Sequence, residues 1–384
     1  MATIYHDEDA SLSTLAEATI AVVGYGNQGR SQALNLRDSG LRVIVGNIPD
    51  ASFEQARRDG FAPVSIAEAC RAADVILLLT PDEVMPEVYA EQVAPHLEAG
   101  DVLVFAHGYN IAFGLIVPPP TIDVVLVAPR MIGIGVRDTY VTGTGFPSVV
   151  GVHQDASGEA RARMLAIARG IGSTRAGCIE MSMLEEATLD LFTEQAFGPA
   201  FGRVMMTAID TLVEAGFPPE AVLLELYLSG ELAYSFQKIR EVGLVKQMDY
   251  HSHTSQYGSL TRSARFSDLD GTLRARMQEV LEEIRSGQFA QEWSGAQASG
   301  REMLERVRAI REQLPVTHWE DSAREAFRMG AQAHEAGAAT AGHTAGGAVG
   351  HGAGTDAREA TRAAGVAGSA PVPEPAGGAT TRSR

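Results

Sequence analysis

The chain has 384 residues, 45% of them hydrophobic, a net charge of −17 and only two cysteines. Such a length fits two domains with sizeable cores. The acidic balance repels a nucleic-acid backbone and an anionic membrane surface, so neither is expected as a partner. Cys70 and Cys178 lie in unlike contexts and suggest neither a disulfide framework nor a thiolate metal site. The opening MATIYHDEDASLS lacks the basic and apolar regions of a secretory signal. With no run of roughly eighteen apolar residues either, a cytoplasmic protein is expected.

From Thr19 to about Val152, short β-branched runs (TIAVV, RVIVG, DVILLL, DVLVFA, DVVLVA, PSVVGV) alternate with stretches of helical pattern such as SFEQARRDG and SIAEACRAA. Strands spaced by helices imply a parallel sheet covered on both faces, an α/β Rossmann-type fold. Another helix is expected near Gly158 to Ala168. From about Met183 apolar residues recur at helical spacing and strand-like runs become scarce, which predicts an all-α second domain. Beyond about Ala336 the composition collapses into Ala, Gly, Thr and Pro, expected to form a disordered tail that holds His343 and His351. The expected division is 1–182 for dinucleotide binding, 183–330 for the helical metal, substrate and oligomerisation domain, and 331–384 for the tail.

Directly after the first strand, Gly24, Gly26 and Gly29 form G-x-G-x-x-G, with Tyr25, Asn27 and Gln28 between them. In that context the first glycine permits a tight turn, the second lets backbone approach a pyrophosphate, and the third allows a helix to pack closely. The second strand ends at Gly46, so residues 47–52 face the adenosine ribose. A carboxylate there accepts from a 2′-hydroxyl and repels a 2′-phosphate. Asn47, Asp50 and Ser52 therefore favour NADH over NADPH, with the alternative that Asp50 or Ser52 caps the next helix. In MLEEATLDLFTEQ, Glu186, Asp190 and Glu194 are spaced by four. That spacing sets three oxygen ligands along one helical face and suits a hard divalent ion such as Mg²⁺, or else a solvated stripe.

The segments GYGNQG, PDEVMPEVY, FAHGYNI, VAPR, HQDASG, GIGSTRAG, DLFTEQ and SQYG occur in an order and spacing that resembles the ketol-acid reductoisomerases, from about Thr19 to Trp293. The length resembles the family's short form, which implies a single knotted helical domain, assembly into dimers or larger homo-oligomers, two Mg²⁺ ions and a reduced nicotinamide. It also implies action on a 2-hydroxy-3-keto acid, 2-acetolactate or 2-aceto-2-hydroxybutyrate, by alkyl migration and then reduction, in branched-chain amino-acid synthesis. Carried over by motif, His107, Arg130 and Glu194 are the implied catalytic side chains, and Asp190, Glu194 and Glu225 the implied metal ligands. Asp190 would bridge the ions, and Glu225 would come from across a dimer interface. Ser252 is the implied contact to substrate carboxylate; Pro81, Asp82 and Glu83 are implied near the nicotinamide, and Gly133 as a further cofactor contact.

Three positions depart from the family pattern. Arg130 stands where the family has lysine, and residues 47–52 lack the basic residue of NADPH users. Ser229 stands where a second glutamate is expected, with Glu231 two positions further on. Two residues turn a side chain by roughly 200° on a helix, so Glu231 replaces it only through a local irregularity. Two rival readings remain at this stage: a reductase of another 2-keto acid, and a catalytically silent dinucleotide-binding sensor or partner protein.

Overall fold

The computed structural model describes residues 2–329, so the tail expected over 331–384 lies outside the described residues. All six β-branched runs form strands: β2 (Thr19–Val23), β3 (Arg42–Gly46), β4 (Val75–Leu78), β5 (Val102–Phe105), β6 (Asp123–Pro129) and β7 (Ser148–Gln154). Two short strands, β1 (Ile4–Tyr5) and β8 (Cys178–Glu180), complete one eight-stranded sheet in the order β1-β8-β7-β6-β5-β4-β2-β3. From β3 to β6 the block is parallel, with Ile20 opposite Val43 and Val75, and Leu78 opposite Phe105.

The expectation of a parallel sheet needs one correction, because β7 runs antiparallel to β6 and β1 antiparallel to β8. The chain leaves β6 into the Gly133–Val141 helix and re-enters the sheet at the same end, where Arg130 N–H donates to Pro147 O at 2.9 Å.

Every residue of β2, β4, β5 and β6 is buried, as expected for strands covered on both faces. Alternation sorts them into two cores. Ile20, Val22, Leu77 and Val104 pack with Leu36, Met164 and Ile167 on one face. Val23, Ile76, Leu78 and Phe105 pack with Ile66, Met85 and Met183 on the other. Nine α-helices follow from Met183–Phe192 to Pro315–Ala326, and no strand occurs among the described residues after Glu180. Met1–Phe327 forms one compact unit. The helical segment carries only small cores, one around Ile209, Leu223 and Ala323 and one around Tyr109, Leu191 and Ile284.

Candidate functional site

The residues singled out in the amino-terminal half converge on one edge of the sheet. The carboxyl ends of five parallel neighbours, β3, β2, β4, β5 and β6, carry respectively Asn47, the glycine loop, Pro81 to Glu83, His107 and Arg130. In open α/β sheets ligands bind along this edge.

At the nucleotide end, Gly24 adopts φ +93°, and a Cβ there would lie 2.9 Å from Leu79 O. At Gly29 a Cβ would fall 1.8 Å from Gly24 O, so both glycines are required by backbone packing, while at Gly26 nothing lies within 4 Å. That open side, at the N-terminus of the Asn27–Asp38 helix with no side-chain cap, is where a pyrophosphate fits. The Tyr25 side chain is 2% exposed and donates from Oη to Asp59 Oδ2 at 3.0 Å. Its place in the core leaves only backbone for nucleotide contact. Asn47 joins the two loops: its Oδ1 accepts from Tyr25 N–H at 3.0 Å, and its Nδ2 donates to Asp50 Oδ1 at 2.9 Å.

Asp50 caps the Ala51–Arg58 helix, accepting from the backbone N–H of Ser52 at 2.9 Å and of Phe53 at 3.0 Å. Ser52 is buried and lies inside the helix, two residues past the capping position. Gln28 Nε2 donates to Met131 O at 2.9 Å, and Gly133 packs so tightly that a Cβ would meet Asn27 O at 2.2 Å. Gly133 is thus demanded by contact with the start of the Asn27–Asp38 helix.

At the other end, Asp82, Glu83, His107, Tyr109, Asp190, Leu191, Glu194, Phe289 and Trp293 line a cavity of about 260 Å³. His107 Nδ1 lies 2.8 Å from Asp82 Oδ2, and Nε2 lies 3.5 Å from Asp190 Oδ2. Arg130 spans two carboxylates, Nη1 to Asp190 Oδ1 at 2.7 Å and Nη2 to Glu186 Oε1 at 2.5 Å. Glu186 is fully buried, and its other oxygen accepts from Gly108 N–H at 2.6 Å. A Cβ on Gly108 would meet Met183 O at 2.1 Å, so glycine alone lets this loop reach the helix. Ser182 and Glu185 form a capping box that starts the Met183–Phe192 helix, which presents Glu186 and Asp190. Glu194 follows in a π-helical turn, Thr193–Phe197, of the kind that recurs at functional sites.

The charges explain one another. Burial by itself would lower the His107 pKa, but the hydrogen bond and charge of Asp82, with the charges of Glu186 and Asp190, outweigh it and push it up to about 9. Burial raises Glu186 despite the cations of His107 and Arg130. Glu194 is also raised, by burial and then by the negative charge of Asp190. Two crowded carboxylates at raised electrostatic cost are the setting that a divalent cation relieves. Their oxygen-only chemistry fits Mg²⁺, which takes one or two carboxylates and otherwise water or substrate oxygen. Among the described residues no group of three or more such ligands gathers on this chain alone.

Glu225 and Ser252 are not brought to this cavity. Glu225 is exposed in a second π-helical turn, Leu224–Leu228. Ser252 is exposed and caps the His253–Ser263 helix through Ser255 N–H at 3.2 Å. Glu186 was legible only as one carboxylate of a stripe. Asn110 lies inside FAHGYNI but carries no spacing that marks it, and nothing local in the sequence singles out Phe289 or Trp293.

Residues 14–177 match the family model described as acetohydroxy acid isomeroreductase, NADPH-binding domain, and residues 183–329 the one described as ketol-acid reductoisomerase, C-terminal domain. The chain belongs to the ketol-acid reductoisomerase family. A relative from Methanopyrus kandleri, "Ketol-acid reductoisomerase (NADP(+))", is 47% identical over 312 residues, covering 80% of this chain and 93% of its own. A solved structure of an NADH-preferring ketol-acid reductoisomerase from an uncultured archean superposes with a TM-score of 0.79 at 35% identity, covering 84% of this chain and 98% of that one. Family membership accounts for a nicotinamide dinucleotide on the glycine loop. Among the described residues no helix is long and apolar enough to cross a membrane.

Proposed function

We propose that the chain converts 2-acetolactate or 2-aceto-2-hydroxybutyrate to the 2,3-dihydroxy acid, by alkyl migration followed by reduction. The observation that carries this reading is the meeting of Asp190, Glu194, His107 and Arg130 at the sheet edge that also holds the glycine loop. Nothing in folding requires such a charged group around a cavity, which speaks against a silent binding protein. Reduced nicotinamide supplies the hydride, and Mg²⁺ supplies Lewis acidity at the ketone and alkoxide oxygens. The chain's own residues do the rest. Asp190 and Glu194 would hold the metal, while Arg130, anchored by buried Glu186, keeps the Asp190 carboxylate in place. His107 Nε2 faces the reacting side and holds or accepts a proton there. Leu191, Phe289 and Trp293 give the cavity an apolar wall.

NADH is the proposed preferred donor. Asp50 occupies the N-terminus of the Ala51–Arg58 helix, filling with a fixed carboxylate the place a 2′-phosphate would otherwise favour. Glu225 and Ser252 are proposed to complete the site from a second copy of the chain.

The decisive assay follows loss of reduced-nicotinamide absorbance with 2-acetolactate, Mg²⁺ and either NADH or NADPH. Mg²⁺-dependent oxidation with a higher kcat/KM for NADH is expected, the discrimination corresponding to about 1 to 3 kcal/mol. Asp50→Arg should move the preference toward NADPH. A wild-type preference for NADPH would leave Asp50 only its capping role.

A further inference from the structure

We propose that Asp82 acts as a positioning residue, fixing which nitrogen of His107 faces the reacting centre. The assignment rests on the reading of the site given above, and it differs from the nucleotide contact that the family motif implies for this loop. A carboxylate only accepts, so the 2.8 Å contact from Asp82 Oδ2 requires a proton on His107 Nδ1. Nε2 is then the atom left for chemistry. It is buried, has no hydrogen-bond partner among the described residues, and lies 3.5 Å from Asp190 Oδ2.

Asp82 is itself held. Asn110, fully buried, donates from Nδ2 to both Asp82 O and Asp82 Oδ1, each at 3.2 Å. Both partners are acceptors, which fixes the orientation of the Asn110 amide. One carboxylate oxygen is thus committed to Asn110 and the other to His107. Asn110 sits in the short Tyr109–Ala112 helix three residues after His107, so a single local segment sets both ends of the relay. Tyr109 stacks on the imidazole with ring centroids 5.8 Å apart and restrains its plane.

This arrangement makes an isosteric change informative. In Asp82→Asn, the Asn110 donor selects the new amide oxygen, leaving the NH₂ group toward His107. Nδ1 must then accept, and the ring proton moves to Nε2. The shape of the site is kept while the wrong nitrogen is protonated.

The test uses full-length protein with Mg²⁺, NADH and 2-acetolactate, together with ¹⁵N NMR of histidine-labelled protein, the His107 signals being assigned by their loss in His107→Gln. Asp82→Asn is expected to lower kcat on the order of a hundredfold, to leave the KM for NADH within about twofold, and to move the Nδ1 signal from protonated to unprotonated. Adding Asn110→Ala removes the donor that forces the amide orientation. Asp82→Asn/Asn110→Ala is therefore expected to recover several-fold of the lost kcat and the protonated Nδ1 signal. A raised KM for NADH at unchanged kcat would overturn the proposal in favour of a nucleotide contact. So would a His107 spectrum that keeps its Nδ1 proton in Asp82→Asn. Should Asp82→Asn fail to fold, Asn110→Ala alone decides: a lowered kcat at constant KM for NADH supports the relay, and wild-type kcat overturns it. The NMR arm needs no turnover, so an inactive wild type would sink the isomeroreductase reading without touching this one.

Discussion

At the scale of single residues, the site is organised by compensation of charge. Asp190 receives Arg130 on one oxygen and approaches His107 with the other, so removing its charge disturbs both cations and the metal they leave room for. Asp190→Asn is expected to lower Mg²⁺-dependent turnover by about a thousandfold or more. NADH affinity, measured by fluorescence titration, should be nearly unchanged, because the glycine loop follows β2 whereas Asp190 lies on the Met183–Phe192 helix; full activity in that variant would remove Asp190 from the site. A second expectation concerns pH. The His107 pKa is raised from 6.5 to about 9 in the folded, metal-free chain. A raised pKa means that the folded state binds the proton more tightly. The stabilisation is therefore complete below about pH 6.5 and is lost as pH rises toward 9. Raised carboxyl groups on Glu186 and Glu194 act in the same direction. The melting temperature of metal-free protein should fall across that interval, and His107→Gln should flatten the fall. An equal slope in both proteins would mean that other groups set it.

At the scale of elements, the segment around the proposed ligand Glu225 is where the chain departs from the pattern that the family resemblance implies. The sequence reading required a local irregularity before Glu231 could stand in for the missing glutamate at Ser229. Two are present: the π-helical turn Leu224–Leu228, and Gly230 at φ +83°, which ends one helix and begins Glu231–Val242. Ser229 Oγ accepts from Glu231 N–H at 3.3 Å, so the serine has a local structural role at that junction. Alkyl migration needs charge stabilised at two oxygens, whereas reduction of a 2-keto acid needs one polarised carbonyl. Turnover of 2-acetolactate is therefore expected to be slower than reduction of 3-hydroxy-3-methyl-2-oxobutyrate and to need more Mg²⁺. Ser229→Glu should raise the first rate and leave the second alone. Equal wild-type rates on the two substrates would show Ser229 to be harmless.

The same element scale explains what could be read from sequence. Six strands and the glycine loop were legible because β-branched runs and turn chemistry are local signals. Strands β1 and β8 were not, since two or three residues carry no period and their pairing joins Tyr5 to Cys178 across the chain. Carboxylates at a spacing of four marked the helix that presents Glu186 and Asp190, but not the burial of Glu186. That burial depends on Gly108 and Arg130, which arrive from two other strands. Nor does local sequence encode the bond between Asp82 and His107.

At the scale of the whole molecule, the helical segment leaves a cluster of aromatic rings open to water. Phe197 and Phe201 stack on the surface with centroids 6.2 Å apart, and Phe236 meets Phe201 edge-on at 6.2 Å. All three rings are exposed, as are Val204 at 60% and Tyr234 at 59%. Rings clustered on a surface and left open to water mark an association face more often than a monomer's exterior. Phe197 belongs to the same π-helical turn as Glu194, so a partner that covers the aromatic cluster would also restrain the turn that carries this proposed ligand. Glu225 and Ser252 are exposed and do not line the cavity of their own chain, which leaves them accessible to that of another. The active unit is therefore expected to be a dimer or larger. Phe201→Asp should shift sedimentation velocity toward monomer and reduce turnover of 2-acetolactate by at least about tenfold. NADH binding should survive, because the glycine loop and its helix are complete within one chain. Full activity in a species that sediments as a monomer across a dilution series would place every required ligand on a single chain and remove Glu225 from the site.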